Sequence, residues 1–189
     1  DKHFYMDKEY IKPAKPIILE DFYCYIKLQK NQVEIGDIQK KAKNDGYREQ
    51  AHRHITILGG VTKRNLEKVL NSHSTKEKRK LIAGVKKLLH KFDWQFQSKK
   101  IYHVSKKGIF GEGKKIEKRQ SYIRTIVMPD MKKFYIELNS ILRAKLPVQF
   151  PHITLFTRGE RKNPDYYGIS IPSTTDFNRL CPRFIKSRI

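Results

Sequence analysis

The chain has little cysteine, few acidic residues and no long apolar run. Cys24 and Cys181 are its two cysteines in 189 residues, and neither has a C-x-x-C spacing, which excludes a disulfide framework. Both read as small core residues in a reducing interior. No hydrophobic stretch approaches transmembrane length and no signal-peptide core is visible, so the expectation is a soluble intracellular protein, cytoplasmic or nuclear, without a membrane partner. Acidic residues number 19 against 41 Lys plus Arg, a formal charge of +22. Such an excess concentrates polyanions, so RNA, oligonucleotides or nucleotides are the natural partners, and a Lys-rich genome composition competes as a partial explanation.

What is present is enough to fold. An apolar fraction of 38% with 10 Phe and 10 Tyr supports one domain, or two small lobes sharing a core. Residues 1–16, charged and carrying Pro13 and Pro16, read as a basic N-terminal extension before a single unit over 17–189. The aromatic run Phe22–Leu28 reads as a strand. Ile35, Ile38 and Ala42 have helical spacing up to an Asp45-Gly46 turn. A helical piece follows around Leu66, Val69 and Leu70. Beyond it, Leu81, Ile82, Val85, Leu88, Leu89 and Phe92 form the stripe of an amphipathic helix with Thr75 as N-cap. A strand over Gln95–Val104, a mobile loop over Lys106–Arg119 and a strand over Ser121–Met128 come next. Pro129-Asp130 opens a second helix with Phe134, Leu138, Ile141 and Leu142 on one face, and Gly168–Ile171 reads as a late strand. The order implies an internal pseudo-repeat in an α+β fold, with antiparallel strands and helices on one face.

The two halves share a word. His54-Ile55-Thr56 and His152-Ile153-Thr154 each lie inside an apolar, β-prone stretch. One H-x-T among seven His is unremarkable, whereas two with the same middle residue are not. Strand alternation puts His54 and Thr56 on one face with His52, and Ile55 on the other. The same alternation predicts His152, Thr154, Phe156 and Arg158 on one face of the second strand. Two imidazoles near neutrality can serve as general base and general acid across one phosphate, while hydroxyls donate to its non-bridging oxygens. This chemistry needs no metal.

Paired H-x-T motifs about a hundred residues apart, each with hydrophobic flanks, resemble those of the 2H phosphoesterase superfamily, which includes LigT-like RNA ligases and cyclic phosphodiesterases. The resemblance covers the chain from about Ile17 onward. It implies a two-lobed, pseudo-symmetric α+β fold with an antiparallel sheet in each lobe and the motifs lining a central groove. It assigns His54 and His152 as the catalytic pair and Thr56 and Thr154 as phosphate binders, with no cofactor and no metal. The implied reaction is hydrolysis of 2′,3′-cyclic phosphate RNA ends or related RNA phosphodiesters. The alternative within the class is degradation of 2′,5′-oligoadenylates or cyclic oligonucleotide messengers.

Other residues are weighed against plainer roles. His52 is a candidate to orient His54, against a polar strand entrance. Arg158 is a candidate phosphate clamp, against a solvated strand end. Phe156, Tyr166 and Tyr167 are candidates for base stacking, against core packing. The Lys-rich segment with Gly111-Glu112-Gly113 has no dinucleotide-binding spacing; it either grips an RNA backbone or is solvated. His3, His73, His90 and His103 lack partners at ligand spacing. A non-catalytic RNA-binding module is the competing class, but a binder has no reason to keep both His and both Thr. A monomer is expected.

Overall fold

The computed structural model describes residues 9–110, 115–160 and 168–186. Two short strands open it, β1 (Ile17–Ile18) and β2 (Cys24–Lys27). The aromatic run forms a strand over Cys24–Lys27, in which Cys24 and Ile26 are buried while Tyr25 and Lys27 face outward. Helix α1 (Ile38–Asn44) buries Ile38 and Ala42 and ends at Gly46, whose φ of +80° suits glycine at the turn. Strand β3 (Arg48–Glu49) precedes β4 (His54–Leu58), and Gly59 is the N-cap of α2 (Gly60–Asn71). Helix α3 (Thr75–Lys91) starts one residue earlier than expected. Ser74, not Thr75, is its N-cap, because Ser74 and Glu77 complete a capping box: the Ser74 hydroxyl accepts from Glu77 N at 3.3 Å.

Strands β5 (Gln97–Ile109) and β6 (Ile116–Val127) form one long hairpin. Lys106, Lys107, Lys118 and Arg119 are therefore strand residues rather than parts of a mobile loop, since pairing continues out to Ile109↔Ile116. Arg119 is buried, donating to Glu117 Oε1 at 2.8 Å and to the Gly168 carbonyl at 3.0 Å. Glu112, Gly113, Gly111 and Lys114 lie outside the described residues, as does His3. Helix α4 (Pro129–Leu142) buries Phe134, Tyr135 and Leu138, and β7 (His152–Arg158) carries the second motif. Gly168–Ile171 is not a strand. Its Ile169 and Ile171 instead pack with Val104, Ile123 and Phe177 in a small second core. Helix α5 (Thr174–Arg179) and strand β8 (Arg183–Ile185), neither expected from the sequence, follow.

The described strands form an open, eight-stranded antiparallel sheet in the order β1-β2-β4-β7-β6-β5-β8, with β3 added to β7 beyond the end of β4. An α+β fold with five helices among the described residues results. The main core contains Ile55, Ile57 and Ile153 from the motif strands together with Leu66, Leu70, Val85, Leu88, Leu89 and Phe134 from α2, α3 and α4. The small second core lies on the opposite face, so the helices are not all on one side as expected: α5 contributes Phe177 there. Cys24 is fully buried and its thiol is pushed up to about 12 by burial, while Cys181 is exposed rather than a core residue. The described part of the leading segment is docked at Ile11, which exchanges backbone hydrogen bonds of 2.8 and 3.0 Å with Phe96. No helix among the described residues is long and apolar enough to cross a membrane.

Candidate active site

Strands β4 and β7 meet at a single registered pair, Ile55↔Ile153, the middle residues of the two motifs. Antiparallel pairing then sets His54 beside Thr154 and Thr56 beside His152 on the face opposite the main core. The four side chains line one pocket of about 270 Å³, walled also by Tyr23, Gln50, Gly59, Gln149 and the 168–171 segment. Residues 98 positions apart in the chain are thus assembled by one strand pairing.

Each histidine is held in the same way. His54 Nδ1 lies 3.3 Å from the His52 carbonyl, and His152 Nδ1 lies 2.9 Å from the Phe150 carbonyl. A carbonyl can only accept, so each Nδ1 carries the proton and each Nε2 is left for chemistry. His152 is buried, with the Phe150 ring stacked on it at 5.8 Å. Burial pushes its pKa down to about 4, with the bond to Phe150 opposing and the neighbouring His54 adding to the fall. His54 is less enclosed. Its pKa is also lowered, mainly by burial, against the bond to His52.

The other expected residues are placed as follows. His52 is exposed at the strand entrance and orients His54 through its carbonyl, not its ring. Phe156 does not reach the pocket: it is wholly buried in the main core. The cause is a β-bulge. Ile123 pairs with Thr154 but the next residue of β6, Tyr122, pairs with Phe156, so Leu155 is extra on β7. Beyond it the alternation reverses; Leu155 and Phe156 both enter the core. Arg158 follows the reversed parity away from the pocket. It lies over the Tyr47 ring at 5.4 Å and donates to the Asp45 carbonyl at 2.8 Å. Tyr166 and Tyr167 lie outside the described residues. Among the described residues, no three His, Cys, Asp or Glu side chains gather as a metal-holding set.

Tyr23, Gln149, Gly59 and Gln50 also enter the site, none of them a candidate from the sequence. Tyr23 Oη is 3.4 Å from His54 Nε2 and 3.3 Å from Thr56 Oγ1, touching the reactive nitrogen and the hydroxyl at once. Its signal was the alternation of Tyr23 and Tyr25 with buried Cys24. Gln149 is buried, donates to the Ile171 carbonyl at 2.9 Å, and turns an Oε1 without a hydrogen-bond partner toward Gly59. A Cβ at Gly59 would come within 3.3 Å of both Gln149 Oε1 and Thr56 Cγ2, so a larger residue there would push these two side chains back by a few tenths of an ångström. Gln50 lines the pocket from the β3–β4 connection, its N–H bonded to the bulge carbonyl of Leu155 at 2.9 Å. Comparison with protein-family models, curated proteins and solved structures returns no significant match.

Proposed function

We propose that the chain is a phosphodiesterase of the 2H type, cleaving RNA-like phosphodiesters such as 2′,3′-cyclic phosphate ends, with His152 as general base and His54 as general acid. The observation that carries this reading is the meeting of both imidazoles and both threonines in one pocket, each Nδ1 tied to a carbonyl two residues back. The pairing Ile55↔Ile153 supports an approximate two-fold relation between two lobes.

The two histidines are distinguished by burial. His152, held neutral by its surroundings, offers Nε2 to the proton of the attacking water or sugar hydroxyl. An arriving phosphate places negative charge beside His54 and favours its imidazolium, which then gives its Nε2 proton to the leaving oxygen. Thr56 and Thr154 donate to the non-bridging oxygens. The first turn of α2, opening at Gly60 on the pocket wall, adds the positive end of a helix dipole. The charge of +22 favours capture of a polyanion. Proton transfer and hydrogen bonding supply the whole of this catalysis, so chelators leave the rate unchanged.

Two predictions arise here. In the free protein both imidazoles titrate below the usual 6.5, and the productive state has His54 protonated and His152 neutral. The pH profile of kcat/KM should therefore peak on the acid side, falling as His152 gains a proton near 4 and as His54 loses one below 6.5. The alkaline limb of kcat should lie higher, because the bound phosphate holds the proton on His54. A kcat/KM that keeps rising through neutral pH contradicts the assignment. Steady-state rates on Thr154 variants check the hydroxyls: Thr154→Ser should be mild, and Thr154→Val should lower kcat roughly 10²-fold, as loss of one oxyanion donor does.

A further inference from the structure

A second and larger cavity, of about 600 Å³, adjoins the His-Thr pocket and shares Tyr23, Gln50 and His54 with it. Its remaining walls include Tyr25, Lys27, Arg48 and His52, and neither His152 nor Thr154 lines it. We infer that this cavity is a subsite for a leaving-group nucleoside, which rests on the phosphodiesterase reading and makes the favoured substrate a linear phosphodiester between two nucleosides.

The placement follows from strand register. Tyr25 pairs with Thr56 and Lys27 with His54, so β2 sets an aromatic ring and a cation directly beside the first motif. Tyr25 is half-buried, 5.6 Å from the Tyr23 ring and 5.7 Å edge-on from the His54 ring. This gives a base an aromatic surface next to the reacting centre. Lys27 and Arg48 stand exposed at the rim, where a following phosphate would lie. Glu49 is neutralised by Arg53 at 2.7 Å, so the cavity is cationic on balance. The volume lies within the range of cavities that hold a ligand of nucleoside size; the 270 Å³ pocket holds the phosphate.

The sidedness follows from which histidine borders which cavity. In-line displacement puts the attacking and leaving oxygens on opposite sides of phosphorus. His152 takes the proton of the attacking water on the closed side, and the new P–O bond forms there. The P–O bond to the leaving nucleoside breaks on the open side, where its oxygen takes the proton from His54 Nε2. The products are a phosphate monoester and a nucleoside hydroxyl, and the starting state returns when His152 releases its proton to solvent and His54 takes one up. A nucleoside 3′-(methyl phosphate) releases methanol on that side and leaves this cavity empty, whereas a 2′,3′-cyclic phosphate carries its leaving oxygen on its own ribose and brings that ribose to the open side.

The test compares wild type, Tyr25→Leu and Tyr25→Phe on a dinucleoside monophosphate, on the nucleoside 3′-(methyl phosphate) that shares its retained half and, as a check on turnover, on a nucleoside 2′,3′-cyclic phosphate. Calorimetry follows binding of the same dinucleotide to His152→Ala protein with and without Tyr25→Leu. Tyr25→Leu should lower the ratio of kcat/KM for the dinucleotide to that for the methyl ester roughly ten- to a hundredfold, the worth of one stacked base, with Tyr25→Phe restoring it. An unchanged ratio with turnover intact, or turnover of the cyclic phosphate alone, overturns the subsite and spares the phosphodiesterase reading. No turnover on any of the three substrates, with Tyr25-dependent dinucleotide binding, overturns the enzyme and keeps the subsite for a nucleoside. Neither turnover nor Tyr25-dependent binding overturns both.

Discussion

His152→Ala and His54→Ala should each lower kcat by roughly 10²- to 10⁴-fold, the range that a positioned acid or base contributes. The double variant should be little worse than either single one, because the two imidazoles act as a unit and removal of one already breaks the proton relay. His152 is the more exacting site. It is buried and bonded to the Phe150 carbonyl, so alanine also empties space beside the small core. His152→Gln keeps most of that volume and a donor for the carbonyl while removing the titratable nitrogen, and it should lose as much activity as alanine with a melting curve closer to wild type. Steady-state rates paired with thermal melts separate the two effects. Activity within tenfold of wild type in a folded His152 variant contradicts the mechanism.

Phe156→Ala should destabilise the fold by about 3–5 kcal/mol, the cost of deleting a fully buried aromatic ring. A loss of that size lowers the melting temperature of a chain this long by roughly 10 °C. The prediction depends on the bulge at Leu155. Without it, strand parity would carry Phe156 onto the face of Thr154, where its removal would raise KM and leave stability nearly unchanged. With it, the ring sits beside Leu155 and Ile153 in the main core, paired across to Tyr122. Calorimetric melting and KM measured on one variant decide between the two placements.

The bulge also marks where sequence reasoning ended. Alternation within one strand or helix is local, so the His-Ile-Thr faces, the buried Cys24 and the stripes of α3 and α4 were legible, except that Ile141 of α4 is exposed. A bulge depends on two strands, and nothing in Leu155-Phe156 announces that Tyr122 will skip a partner. The β5–β6 hairpin was misread at its tip for a related reason. Lys and Gly lower strand propensity, yet cross-strand hydrogen bonding carries Gly108 opposite Glu117. The capping box at Ser74 was in the sequence as Ser-x-x-Glu and was displaced by one position. Tyr23 and Gln149 reach the pocket through tertiary packing from 31 and 95 residues away from His54 in the chain, and no local pattern carries that distance.

The central claim is that two histidines and two threonines, joined at Ile55↔Ile153, cleave a phosphodiester. Its most direct test incubates the wild-type protein, with chelator present, with 2′,3′-cyclic-ended RNA, 3′,5′-linked RNA, 2′,5′-oligoadenylate and cyclic dinucleotides, and maps the product ends. Cleavage of at least one substrate, unaffected by the chelator and lost in His54→Ala and His152→Ala, is the predicted result. Turnover of none of them, or turnover only when a metal ion is added, would contradict it.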